Sequence, residues 1–126
     1  MLETPIGPKP RENVWLWLYK IVTGGLIIIL LGVHLIVNHL VAPEGLLTYA
    51  DVVRYYTVPI VPVMEVAFLI FVVSHALVGL RSIILDLNPP DRILRVIDVV
   101  LIAAGTVCTG YGAWLIWIIV QRGRAL

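Results

Sequence analysis

Two histidines lie inside long apolar stretches of this 126-residue chain, where metal binding is the chemistry that they could perform. His34 lies in the first stretch and His75 in the second, and Gly79 follows His75 by one helical turn. An ionisable side chain at membrane depth is costly, so it indicates a functional site. Apolar surroundings keep an imidazole neutral, which is the form that binds metal. Because a small residue one turn on leaves room for a flat macrocycle, we expect His75 to be an axial ligand of a b-type haem.

The histidines also have purely structural interpretations, which stay open at this point. His75 could hydrogen-bond a neighbouring helix, and His34 could pair with Asn38, one turn away. For His34, too, a haem ligand is the interpretation that we favour. His39 lies close to the end of the same apolar stretch, where an interfacial residue is expected.

Three charged residues share the apolar stretch that contains His75. Arg81 follows it by about 9 Å along a helix, where it could meet haem propionates or serve as a topology charge. Asp86 falls at the expected membrane boundary, where it could take up protons beside a quinone, although a solvated helix-end charge is favoured. Glu65 lies near the opposite edge, where facing a loop is favoured over carrying protons.

The composition requires lipid as the solvent of this chain. Hydrophobic residues make up 60% of it, charged residues only 13%, and the mean hydropathy is +1.01. Such a chain cannot cover its apolar surface with polar groups. The net charge of +1 is uninformative. The arginines lie near the ends of apolar runs, as topology signals do, and do not form a nucleic-acid-binding patch. Cys108 has no partner cysteine, so we expect a small buried hydrophobic side chain there.

The apolar runs predict three membrane-spanning helices, at about residues 15–41, 60–85 and 93–120. We therefore expect an all-α membrane protein, a single domain over residues 1–126, whose three transmembrane helices form half of a haem-binding helical bundle. The proline-rich first dozen residues lack the features of a cleavable signal, so all of the chain is expected in the mature protein. The connection at 46–58 is expected at the membrane interface, and Gly105, Thr109 and Ala113 form a small-residue stripe for close helix approach.

The basic residues predict the orientation. Three of them lie in the N-terminal arm and at the start of the first span, and three more lie around the second connection. Only three lie on the other side, so the N-terminus is expected in the cytoplasm. The two groups are Lys9, Arg11, Lys20, Arg81, Arg92 and Arg95 against Arg54, Arg122 and Arg124.

This topology places the two histidines at different depths. At about 1.5 Å per residue, His34 lies about 10 Å below the outer surface and His75 about 22 Å below it. Two ligands of one haem approach its iron at nearly one level, and a gap of about 12 Å is too large for tilt to close. If both histidines are ligands, each therefore serves a different haem, with a second ligand from another subunit or a second copy.

The stretch HALVGLRSIILD, from His75 to Asp86, resembles the second-span signature of the hydrophobic anchor subunits of succinate dehydrogenase (succinate:quinone oxidoreductase). In that family the histidine of this His-x3-Gly-x-Arg-x4-Asp set ligates haem b. Val22-Thr23-Gly24, with His34 ten residues after the glycine, resembles the first span of the two-haem anchors. The connection that follows contributes four further similar residues, Tyr49, Val52, Arg54 and Pro59.

Two departures from the family pattern concern quinone. Anchors of this family commonly have a basic residue where this chain has Ile21, and Lys20 is one place off. The second-span motif often ends in Asp-Tyr, whereas here Asp86 is followed by Leu87. Both departures weaken a quinone site built on this chain and leave the haem histidines untouched.

The resemblance implies a D-subunit-like anchor in the cell inner (cytoplasmic) membrane, with one or two b haems shared with a second anchor subunit. It also implies a flavoprotein with FAD, an iron–sulfur subunit with its clusters, and quinone as the electron acceptor. Electrons would pass from the iron–sulfur subunit to an inner haem at His75, with an outer haem at His34, and this chain would do no succinate chemistry. Alternatives are a quinol:fumarate reductase anchor, a non-redox helical subunit whose histidines brace helices, and a homodimeric cytochrome b.

Overall fold

The computed structural model describes residues 7–8, 11–36 and 47–125. Four helices make up these segments: α1 (Val14–Leu35), α2 (Tyr49–Tyr55), α3 (Ile60–Asp86) and α4 (Asp91–Arg124). The helices α1, α3 and α4 are long and apolar enough to cross a membrane, which confirms the prediction of an all-α protein with three spans. The end of the first predicted span, with Asn38 and His39, lies outside the described residues.

Local signals in the sequence explain where the helices begin and end. The Asn13 side chain accepts a hydrogen bond from the Trp15 backbone N–H (2.8 Å) and so caps α1. Thr48 and Asp51 form a reciprocal capping box at the start of α2, which lies in the connection predicted at the membrane interface. After α3, Asn88 adopts the left-handed conformation (φ 48°), and two prolines then prevent the helix from continuing.

The central helix is α3, which packs against both α1 and α4. Glycines bring α4 close to it: a Cβ added at Gly105 would lie 2.6 Å from Leu77 Cδ1, and one added at Gly112 would lie 2.6 Å from Leu69 Cδ2. Close helix approach was expected along this part of α4, and the helix that approaches is α3 of the same chain. Cys108 lies between these glycines in sequence but is exposed, so the prediction that it is buried is wrong for this chain.

The short helix α2 packs against the C-terminal end of α4. Gly123 is buried there, and a Cβ added to it would lie 3.1 Å from the Val53 carbonyl oxygen and 2.9 Å from Thr57 Cγ2. Arg122 donates a hydrogen bond from Nη1 to the Tyr49 hydroxyl (2.6 Å). These contacts close one end of the molecule, which we call the α2 end.

Polar contacts close the opposite end, which we call the turn end after the α3–α4 turn at 87–90. Arg11 pairs with Asp91 and donates to Asn88 Oδ1 (3.2 Å) and to the Pro89 carbonyl (3.1 Å). Lys20 pairs with Glu12 and donates to the buried Ser82 hydroxyl (2.8 Å). The segment before α1 is therefore held against the turn between α3 and α4.

Most large apolar side chains of the described residues face outward. The buried hydrophobic ones in this part of the chain are Val53, Val61, Leu85 and Leu94. Apolar faces of this extent must meet lipid or other subunits, since water would make them costly.

Candidate functional site

The imidazole of His75 lies in the contact between α3 and α1. Its Nδ1 is 2.9 Å from the hydroxyl oxygen of Thr23, which is only 2% exposed. A Cβ added at Gly24 would lie 3.2 Å from His75 Cε1, tighter than an ordinary van der Waals contact. The ring therefore depends on a glycine at position 24 in order to lie this close to α1.

The hydrogen bonds of Thr23 indicate the tautomer of His75. The hydroxyl of Thr23 donates its single proton to the Tyr19 carbonyl oxygen, at 2.6 Å. Its lone pair is then available to accept a hydrogen bond from His75 Nδ1–H. This arrangement leaves the lone pair of the imidazole on Nε2, which is the nitrogen that a metal would need.

The second histidine, His34, faces a carboxylate on α3. His34 Nδ1 is 3.3 Å from Glu65 Oε1, and the imidazole stacks on the ring of Phe68 with centroids 5.7 Å apart. The Glu65 side chain is only 11% exposed, so it faces α1 and not a loop, contrary to the interpretation that the sequence favoured. The spacing of residues along the sequence could not predict the contact between His34 and Glu65, because that contact depends on how α1 and α3 align.

The charge of Glu65 also reaches α2. Burial, then the negative charge of Glu65, then the neighbouring Tyr55 raise the pKa of Tyr56 to about 12. Burial and then Glu65 also raise the pKa of Tyr55. Glu65 therefore faces the imidazole of His34, and its charge also acts on the two phenols at the end of α2.

The contacts between α1 and α3 place the two histidines at different levels. His75 meets Thr23 and Gly24, whereas His34 meets Glu65, which lies ten residues before His75 on the same helix. At 1.5 Å per residue, the two imidazoles are about 15 Å apart along the bundle. This separation is too large for both of them to bind opposite faces of one haem, as the depth argument from the sequence had predicted.

Arg81 pairs with an aspartate that the sequence analysis had not singled out. Its Nε donates to Asp98 Oδ1 (2.6 Å) and its Nη2 to Asp98 Oδ2 (3.1 Å), across the contact between α3 and α4. The sequence did contain a hint of this pair, because an aspartate inside the third apolar run is costly unless it has a partner. A haem propionate would have to compete with this carboxylate for Arg81.

The Arg81–Asp98 pair lines a cleft of about 810 Å³ between α3 and α4. Apolar side chains form most of its wall, and three hydroxyl groups interrupt them, those of Ser74, Thr106 and Thr109. His75 does not line this cleft, since its ring faces α1. The cleft and the imidazole of His75 are therefore distinct features of α3.

Asp86 is the last residue of α3, and its side chain is exposed at the turn end. It lies eleven residues after His75 on the same helix, about 16 Å along the axis. Within the described ranges, no three His, Cys, Asp or Glu side chains converge to hold a metal ion. Each histidine could thus contribute one ligand, and any second ligand would come from elsewhere.

Comparison with known proteins agrees with this arrangement. Residues 6–112 match the model of the family described as succinate dehydrogenase/fumarate reductase transmembrane subunit. The chain is also 32% identical over 101 residues to a succinate dehydrogenase hydrophobic membrane anchor subunit of Archaeoglobus fulgidus. That alignment covers 80% of this chain and 86% of the relative. No solved structure matches the chain significantly.

Three apolar helices, a histidine fixed between two of them, and a family match over most of the length lead to one conclusion: this chain is a multi-pass membrane protein that belongs to the family of succinate dehydrogenase/fumarate reductase transmembrane subunits.

Proposed function

We propose that this membrane anchor supplies His75 as an axial ligand of a b-type haem. The observation that carries the proposal is the environment of the ring, in which Thr23 engages Nδ1 and Gly24 leaves space for the imidazole. The donor set fits a haem, because a neutral imidazole with its Nδ1–H bonded to a fixed acceptor presents Nε2 to iron.

His34 is proposed as the ligand of a second haem at the α2 end. The separation of about 15 Å between the two imidazoles supports two haems over one. Each of them requires a second ligand from a partner chain, because the described residues offer one histidine at each level. The second anchor subunit is the proposed source.

The partners and cofactors follow from this role. We assign the catalytic work to a flavoprotein subunit with FAD and an iron–sulfur subunit, with this chain and a second anchor holding them at the membrane. When bound, a b-type haem supplies one-electron transfer between the iron–sulfur subunit and quinone. The six-to-three distribution of basic residues supports a cytoplasmic N-terminus in the inner membrane, with the turn end facing the iron–sulfur subunit.

Two charged residues at the turn end have proposed supporting roles. Arg81 would meet a haem propionate by exchanging one carboxylate, that of Asp98, for another. Asp86, exposed at the end of α3, would take up protons beside quinone. A quinol:fumarate reductase would use the same residues, since the direction of electron flow depends on potentials and not on this scaffold.

One observation favours a non-redox alternative. The hydrogen bond between His75 and Thr23 also braces α3 against α1, as a structural histidine would do. In that case the purified complex would show no b-type α-band after reduction with dithionite.

Haem quantification in the purified complex tests the proposal. We expect two haems per wild-type complex, one in His75→Ala and one in His34→Ala. His39→Ala is the matched control and keeps both. Full haem content in His75→Ala would overturn the central assignment, and full content in His34→Ala would overturn the outer one alone.

A further inference from the structure

Two exposed arginines, Arg92 and Arg95, lie in the first turns of α4 and are one helical turn apart. Leu94, between them in sequence, is buried. The arginines therefore lie outside the contact that buries Leu94, and their side chains face the surroundings of the molecule.

The carboxylates closest to these arginines along α4 are engaged with other residues. Asp91 pairs with Arg11, and Asp98 pairs with Arg81. Within the ranges that the structure describes, no carboxylate forms an ion pair with either of the two exposed arginines. Two positive charges at the turn end are thus available for an anionic partner outside this chain.

The two guanidinium groups share a groove with apolar side chains. Arg92 and Arg95 line a space of about 430 Å³ together with Val96, Val99 and Val100. All three valines are more than half exposed. The third predicted span begins at about residue 93, and Val99 lies about 10 Å beyond Arg92 along the helix. The groove therefore has a cationic end at the membrane boundary and an apolar wall that leads into the bilayer.

We propose that this groove binds an anionic phospholipid, with its phosphate on Arg92 and Arg95 and an acyl chain along Val96, Val99 and Val100. A guanidinium group binds phosphate through two parallel hydrogen bonds, and basic residues at a membrane surface attract anionic lipids. An acidic patch on a soluble subunit would match the arginines alone, because the valines lie below the membrane surface. The site involves no haem ligand, so it is independent of the proposed function.

The test titrates the purified complex in detergent with phosphatidylglycerol that carries a photoreactive acyl chain, and peptide mass spectrometry locates the labelled residues. We expect labelling within residues 96–100. Arg92→Gln and Arg95→Gln each raise the half-saturating lipid concentration about 5-fold, the factor that one basic residue at a membrane surface contributes. Val99→Trp, which fills the groove and keeps both charges, raises it as well.

Arg124→Gln is the matched control, because it removes an exposed arginine from the opposite end of the same helix. This variant leaves the labelling of residues 96–100 unchanged. Phosphatidylcholine with the same photoreactive chain labels these residues more weakly, and its labelling does not depend on the two arginines.

Equal labelling by the two lipids, with the same half-saturating concentration in the arginine variants and the wild type, would show ordinary surrounding lipid and overturn the proposal. Displacement of phosphatidylglycerol by inorganic phosphate would overturn it in favour of a phosphate site. Loss of a partner subunit from the arginine variants, with labelling unchanged, would overturn it in favour of a protein contact. Should the arginine variants not assemble, as judged by gel filtration, the preference of the wild-type complex between the two lipids decides.

Discussion

At the scale of single residues, the position of the His75 ring depends on two residues of α1, Thr23 and Gly24. The Thr23 hydroxyl donates a hydrogen bond to the Tyr19 carbonyl oxygen, and its oxygen is left to accept one from His75 Nδ1. Gly24 supplies the space in which the ring lies, because a methyl group there would press on Cε1. Two neighbouring residues of α1 thus fix the Nδ1 side of the His75 ring and the space in which the ring lies.

Gly24→Ala therefore displaces the imidazole of His75. We expect the haem content of the purified complex to fall, because the added Cβ would lie 3.2 Å from Cε1 and the ring would have to give way by a few tenths of an ångström. Gly25→Ala is the matched control, since nothing lies within 4 Å of a Cβ added there and both changes favour the helix equally. Equal haem contents in the two variants would contradict this role of Gly24.

At the scale of helices, α2 is held by a close approach to α4. The atom opposite Gly123 is a backbone carbonyl oxygen, that of Val53, which cannot rotate away as a side chain could. An added methyl group must therefore separate the two helices. The contact explains how a helix of only seven residues keeps its place beside the longer ones.

Gly123→Ala is expected to loosen α2 from α4, at a cost of about 1–3 kcal/mol for overpacking. Hydrogen–deuterium exchange measures this as faster exchange of the amides in residues 49–55. Gly110→Ala, on the same helix with nothing within 4 Å of the added Cβ, leaves that exchange unchanged. The close contact would be disproved by equal protection of α2 in both variants.

The burial of Tyr56 at the end of α2 also makes the stability of the protein depend on pH. Burial, and after it the charge of Glu65, raise the pKa of Tyr56 to about 12, which favours the neutral phenol in the folded protein. The resulting stabilisation is complete below the unfolded pKa of about 10 and is lost as the pH rises through about 12. NMR of tyrosine labelled at Cζ measures this titration, and Glu65→Gln should move it to lower pH. A Tyr56 that ionises at about pH 10 would contradict the burial of its ring.

At the scale of the whole molecule, the sequence predicts the spans and misses the contacts between them. Long apolar runs, proline positions and capping residues such as Asn13 report on local structure, so the helices begin near the predicted positions. The pairs His34–Glu65 and Arg81–Asp98 join different helices, and their formation depends on helix register. The levels of His34 and His75 were predictable, because a constant rise per residue converts sequence position into depth.

Among the residues that the structure describes, the apolar faces point outward and each level has one histidine, which fits a chain that is one part of a larger assembly. In the proposed complex, the three long helices of this chain form one side of the haem-binding bundle. A partner chain forms the other side and supplies the second axial ligand of each haem. The proposed complex therefore carries two haems on one side of this subunit.

A density map of the purified complex would show whether these two haems are present. We predict two macrocycles beside α1 and α3, one with iron on His75 Nε2 and one with iron on His34 Nε2, about 15 Å apart along the bundle. A map of the full assembly without a macrocycle at His75 would disprove the proposed role of this histidine.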